Sequence, residues 1–215
     1  MDGVVLELQK DSLNPNIDVV TLSRKAFVIA KKLKLSDFEN WISKELNGYS
    51  LDDECPEYRH YTGQLKAWNP YHGWVPVLVS VKDTYEKLCQ QQLRNPISNL
   101  LSFLGKESTL HVPYNDSVNT MLNSITTVPI PTRYALFIGN NIVDTIIESV
   151  KTRILEWGLL LEENGIIGEG LTFSINEKNA AVNNPIITNY INNFERDVIG
   201  SQIQQGASDS YQETQ

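Results

Sequence analysis

Three histidines, His60, His72 and His111, are the side chains best suited to move protons near neutral pH. None stands four residues from another, and none lies in a zinc, nucleophile-elbow or nuclease pattern, so each reads as structural or simply exposed. Cys89 and Ser43 are candidate nucleophiles. A nucleophile needs a base within hydrogen-bond reach and a group that orients the base, and no local spacing supplies either. The two cysteines have no CxxC partner, which suits reduced thiols in a cytoplasm. Asp52, Asp53, Glu54 and Glu57 flank Cys55, yet the ligand order and turn glycine of a calcium loop are missing. No metal or cofactor is expected.

Two other constellations offer binding rather than bond-breaking. Trp68, Tyr71, His72 and Trp74 surround the turn Asn69–Gly73 and could ring a small ligand, with Arg59 or Lys66 nearby and Asp52 or Asp53 as carboxylates. The competing reading is the packed corner of a β-hairpin. Near the C-terminal end of the sequence, Val198 to Ser208 is uncharged and free of proline. Within it Ile199, Gln202, Ile203, Gln204, Gln205 and Gly206 form a β-capable Gln/Ile segment that can stack on copies of itself. Beyond Gly206 the composition cannot bury enough apolar surface to order itself, and an inert disordered end is the competing reading.

The elements that must position these residues are readable from periodicity. Gly3–Leu13 reads as a helix. Asp18–Leu33 is a second, with Asp18 as N-cap and Val19, Leu22, Ala26, Ile29, Ala30 and Leu33 on one face. A capping box at Ser36–Glu39 opens a third helix, which buries Trp41, Ile42 and Leu46 and stops at Asn47-Gly48. Tyr58–Trp68 and Trp74–Val81 read as the arms of a hairpin, and Pro76 marks the second arm as an edge or as starting near Val77. Helical stretches follow at Asp83–Leu93 and Pro96–Leu104. Next come a strand at Thr109–Val112, a helical turn at Ser117–Leu122 and a strand at Arg133–Ile138. The longest helix, Asn140–Glu163, carries Ile142, Val143, Ile146, Ile147, Val150, Ile154, Leu155 and Leu161 as a wide apolar face, and Asn164-Gly165 ends it. Gly165–Gly170 resembles a phosphate loop in glycine content alone, because it follows a helix and contains Glu169; a chain-reversing turn is the better reading. A second capping box, Ser174–Glu177, opens a short helix. Asn184-Pro185 starts another, whose Ile187, Ile191, Phe194 and Val198 form a seam able to pair with a second surface.

Length and composition suit a self-sufficient core: 215 residues, 41% apolar. The net charge of −8 argues against nonspecific nucleic-acid binding, so nucleic acid is not expected as a partner. Arg24, Lys25, Lys31 and Lys32 could form a small basic stripe on the second helix, the plainer reading being a solvated face. The acidic start Met1-Asp2 and the lack of an uncharged apolar run near ~20 residues point to neither export nor membrane insertion. The fold expected is α+β: a small mixed or antiparallel sheet, an N-terminal helical layer and a long C-terminal packing helix. Residues 1–182 would be the folded domain and 183–215 a helix or linker with the Gln-rich tail.

Several stretches, in this order, carry a resemblance. They are Leu46-Asn-Gly-Tyr49, Lys66-Ala-Trp-Asn-Pro-Tyr-His-Gly-Trp74, Arg153-Ile-Leu-Glu-Trp157, Leu161-Glu-Glu-Asn-Gly-Ile-Ile-Gly-Glu-Gly170 and the Gln-Ile-Gln-Gln-Gly tail. Together they resemble the AbiTii-type domain of bacterial abortive-infection systems, from Met1 to about Val182. The resemblance implies a bacterial anti-phage role in which an infected cell is stopped before progeny escape; it brings no active site with it. The expectation is therefore a cytoplasmic binding, signalling or oligomerising component, with a protein partner or self-association through the C-terminal segment. The alternative is a toxin-like effector enzyme with an unrecognised site.

Overall fold

Apolar residues recurring every three or four positions make the first part of the chain helical: α1 is Val4–Leu13, α2 Val19–Leu33 and α3 Ser36–Asn47. Asp18 caps α2. Its carboxylate accepts from Thr21 Oγ1 at 2.7 Å and from the Thr21 and Val20 N–H groups at 2.9 Å, which holds its pKa below the usual carboxylate range. At the other end Lys34 takes a left-handed conformation, φ 62°, and Leu35 N–H returns to Ala30 O at 3.0 Å. That turn overturns the expected capping box at Ser36–Glu39. Leu35 occupies the cap position without a side-chain bond, and the Glu39 carboxylate pairs with Lys31 at 2.7 Å instead. The computed structural model describes residues 3–77, 79, 82–104, 109–126, 130–139 and 141–192.

A 3₁₀ turn at Glu57–Arg59 leads into β1, His60–Thr62. Then follow β2 Gln64–Asn69, β3 Gly73–Pro76, α4 Lys82–Cys89, β4 Gln90–Gln92, α5 Ile97–Leu101, β5 Thr109–Pro113, α6 Asp116–Ile125 and β6 Tyr134–Gly139. Among the described residues the strands form two antiparallel sheets: β1 with β4, and a four-stranded sheet in the order β3-β2-β6-β5. The hairpin is present, with Trp68 opposite Trp74 and Asn69 opposite Gly73. Pro76 ends β3 on the sheet edge, where its missing N–H removes no interior ladder bond, so the strand ends there rather than beginning near Val77.

Two expectations change here. The single strand Tyr58–Trp68 is broken at Gly63, whose N–H donates to Cys89 O at 2.9 Å. A Cβ at this glycine would lie 2.6 Å from Leu136 Cγ and 2.8 Å from Phe137 O, so the backbone can pass against β6 only without a side chain. The helix expected over Asp83–Leu93 stops at Cys89, because Gln90–Gln92 pair with β1. Glutamine favours helix, yet the carbonyls of Leu88 and Cys89 are taken by Tyr114 Oη at 2.6 Å and Gly63 N–H, and a waiting strand supplies the ladder.

On the four-stranded sheet Leu65, Ala67, Tyr134, Leu136 and Ile138 form a buried inner face. α6 is fastened to β6 by asparagines: Asn119 Oδ1 accepts from Tyr134 N–H at 2.8 Å, and Asn123 both donates to Thr132 O and accepts from its N–H. The other face stays partly open.

The longest helix, α7, is Asn141–Glu163; α8 is Ile175–Asn183 and α9 Pro185–Thr188. Val143, Ile146, Ile147, Val150, Ile154 and Leu161 are buried as expected, whereas Ile142 and Leu155 are only half-buried and Trp157 joins the buried stripe. Gly165, φ 71°, ends the helix, with Ile166 N–H bonding Leu161 O at 2.9 Å and Gly165 N–H bonding Glu162 O at 2.8 Å.

The chain divides into two compact units: Met1–Tyr49 with Pro96–Ser98 and Glu148–Gln215, and Ser50–Asn95 with Asn99–Ile147. Within the first, Phe38 stacks on Trp157 at 3.8 Å. Gln9 donates to Gly158 O and to Glu162, and Tyr190 Oη donates to Glu156 at 2.9 Å. Burial, reinforced by Glu156, pushes the Tyr190 phenol up. Ile187 and Ile191 are buried; Phe194 and Val198, the rest of the expected seam, lie outside the described residues. Two of the four cations in the basic stripe of α2 are paired, Lys25 with Asp11 at 2.5 Å and Glu7 at 3.5 Å, and Lys31 with Glu39, while Lys32 donates to Leu171 O at 2.6 Å.

Candidate functional site

The open face of the four-stranded sheet gathers rings and cations. Strand alternation puts Lys66 and Trp68 of β2, Trp74 of β3, Phe137 of β6 and His111 of β5 on this side, with Arg133 entering beside Trp68, whose N–H donates to Arg133 O at 3.0 Å. Trp68 and Trp74 meet edge to face at 5.5 Å, and Trp74 meets Phe137 the same way at 5.4 Å. His111 stacks on Phe137 at 5.5 Å. Over these rings lie the cations: Lys66 Nζ is 4.3 Å from the Phe137 centroid, and Arg133 Cζ is 4.9 Å from Trp68 and 5.7 Å from Trp74. Lys66, Trp68, Trp74 and Phe137 are half-buried, while His111 and Arg133 are exposed.

The electrostatics of the face are one-sided. β2, β3, β5 and β6 contain no aspartate or glutamate. Among the described residues neither Lys66 nor Arg133 has a carboxylate within ion-pair distance. In a chain of net charge −8, this face thus carries two cations with no carboxylate partner among the described residues.

Of the four residues singled out around the turn, Trp68 and Trp74 converge and the other two do not. Tyr71 is 88% exposed at the hairpin tip and His72 is exposed beside it; their N–H groups donate to Asn69 Oδ1 at 2.8 and 3.1 Å, which shapes the turn. Lys66 is near the tryptophans as expected. Arg59 is not available to a ligand: it is fully buried and donates to Leu93 O at 2.6 Å and Asn95 O at 2.9 Å. Asp53 is likewise engaged, accepting from Ser50 N–H and Oγ at 2.7 Å. Phe137 and Arg133, and the place of His111 beside them, escaped the sequence reading because they come from segments distant in the chain, and only the register brings them beside Trp74.

Other chemically able groups are committed to structure. An open cleft of about 700 Å³ is bordered by His60, Lys87, Gln92 and Arg94. Arg94 donates to Ser50 O, to Asp53 O at 2.9 Å and to Gln92 Oε1 at 2.5 Å, and His60 Nε2 lies 2.9 Å from Gln92 Nε2 and 3.0 Å from Cys55 O. Cys55 and Cys89 are buried. Burial alone pushes the Tyr61 phenol up to about 12, and burial together with Cys89 pushes Tyr114 up. Among the described residues no group of three or more His, Cys, Asp or Glu is placed to hold a metal ion, the acidic loop around Cys55 included.

The glycine-rich turn does cradle an anion, but an internal one. Glu177 Oε1 accepts from Gly168 N–H at 2.7 Å and Ile167 N–H at 3.1 Å, while Oε2 accepts from Ser174 N–H at 2.7 Å and Oγ at 2.8 Å. The capping box of α8 is complete. Burial pushes this carboxyl up, and the four hydrogen bonds outweigh it, leaving the pKa below the usual range. The amides that a phosphate would need are already occupied.

The fold is that of an α+β protein whose four-stranded antiparallel sheet leaves one face partly open, lined by rings and cations. The AbiTii family model matches residues 3–186, and the chain belongs to that abortive-infection family. Its role therefore lies in abortive-infection defence against phage. Comparison with curated proteins and with solved structures finds no significant match. Among the described residues no helix is long and apolar enough to cross a membrane.

Proposed function

We propose that this chain is a recognition module of abortive infection, acting in the bacterial cytoplasm, that binds its partner through the open sheet face. The Gln/Ile segment Ile199–Gly206, which lies outside the described residues, would add self-association or recruitment of a second protein. One observation carries the reading: Trp68, Trp74 and Phe137 share a face with Lys66 and Arg133 on strands that contain no carboxylate. Half-buried aromatics with an arginine are what binding surfaces concentrate, and ring-plus-cation sets without an acid or a nucleophile favour holding a partner over cleaving it.

The test is phage challenge of cells expressing the full chain. Lys66→Glu with Arg133→Glu should return plaque counts to those of cells lacking the protein. The melting temperature should fall only modestly, because Arg133 is exposed and Lys66 only half-buried, and cation–π contacts at exposed sites are worth about 0.5–1 kcal/mol each. His60→Ala and His72→Ala should protect normally. Full protection by the charge-reversed chain would remove the face from the function, and loss of protection in a folded His60→Ala or His72→Ala chain would bring an enzyme forward.

A further inference from the structure

We propose that the open sheet face binds a single strand of nucleic acid, with bases stacked on Trp68, Trp74 and Phe137 and phosphates held by Lys66 and Arg133; this rests on the face being the recognition surface. Both central strands of the sheet, β2 and β6, present a ring to the open side, and the edge strand β3 adds a third. Aromatic side chains on a sheet face, flanked by cations, are how sheets take unpaired bases, since every base has a ring face whatever its sequence.

The charge balance of the whole chain speaks against a long electrostatic track, and the face does not offer one. It offers two cations with no carboxylate among the described residues, enough for a short strand rather than for coating. Those cations now lie over the rings. Stacking a base on an aromatic side chain is worth roughly five- to 150-fold in affinity, whereas an exposed cation–π contact is worth about two- to fivefold. A base therefore displaces Lys66 from Phe137 or Arg133 from Trp68, and the freed cation is left at the height of the strand's phosphates. An acidic peptide would satisfy the charge alone. It would gain little by strand addition, because the edge strands β3 and β5 end in Pro76 and Pro113, which lack ladder donors.

The experiment is fluorescence anisotropy of the full chain with labelled 12-nucleotide oligo(U) and oligo(dT), beside a 12-base-pair DNA duplex and a 12-residue polyglutamate peptide. Binding to one or both single strands is expected, quenching tryptophan emission and exceeding duplex and peptide at least tenfold. The logarithm of affinity should fall against the logarithm of salt with a slope of roughly −1.4, two phosphates at about −0.7 each. Phe137→Leu keeps apolar bulk without the ring and should weaken binding about tenfold; Lys66→Ala should shallow the salt slope. A preference between oligo(U) and oligo(dT) identifies RNA or DNA as the source. No binding to either single strand, equal binding of polyglutamate or duplex, or unchanged affinity in both folded variants overturns the proposal. Loss of protection in the charge-reversed chain without oligonucleotide binding would keep the face as a recognition surface and sink the nucleic acid alone; binding with protection intact would do the reverse.

Discussion

Glu177 shows how one side chain can settle a functional question. Its carboxylate fills the amide cradle of Gly165–Gly170 and completes the cap of α8. The capping box could be read from Ser174 and Glu177 three residues apart; the reach back to Ile167 and Gly168 could not, since nothing in the spacing marks which carboxylate a glycine turn will take. Because the folded pKa is lowered, the carboxylate contributes stability above its unfolded value of roughly 4.3, and that contribution is lost as pH falls through the lower folded value. Glu177→Gln should therefore melt lower than the parent at pH 7, and the gap should narrow steadily below about pH 4.3. Thermal melts of both chains across that range provide the check. A gap of constant size would mean that shape, not charge, holds the turn.

At the scale of elements, long periodic segments were legible and short ones depended on partners far away in sequence. α2 and α7 follow from apolar spacing, and the β2–β3 hairpin from its turn residues. β4 did not, because Gln90–Gln92 become a strand only when β1 lies alongside, and the cap of α3 failed because Lys34 took the left-handed turn first. The same reasoning explains the half-legible site: Trp68 and Trp74 flank one turn, whereas Phe137, His111 and Arg133 arrive by register. Burial refines the expectation for α7. Ile147→Ala should cost on the order of 2–5 kcal/mol, Leu155→Ala clearly less, and Glu148→Ala within about 0.5 kcal/mol, as read by urea unfolding. Equal losses at Ile147 and Glu148 would contradict the packing of the helix. Gly63→Ala should cost about 1–3 kcal/mol by forcing a methyl against Leu136 and the β6 backbone. A neutral result there would mean that the strand switch tolerates a side chain.

On the scale of the whole molecule, acidity and assembly pull in opposite directions. A net charge of −8 makes copies repel one another, so any self-association must be local and strong enough to overcome the general repulsion. The uncharged run Val198–Ser208 is the part of the sequence suited to that, since stacked Gln and Ile side chains add backbone ladders without adding charge. Removing residues 197–215 should leave the melting temperature almost unchanged, because this composition offers few apolar contacts. If the segment assembles, the truncation should abolish both protection and any higher-order species. Ile203→Lys should do the same while keeping the length, because a lysine repeated at the strand spacing of roughly 4.8 Å repels its copies along the ladder. Sedimentation and phage challenge of the full chain against Ile203→Lys decide the matter. Faster sedimentation of the parent with protection lost in the variant supports templated stacking, whereas identical sedimentation and identical protection reduce the segment to a passive terminus and leave the sheet face as the sole recognition element.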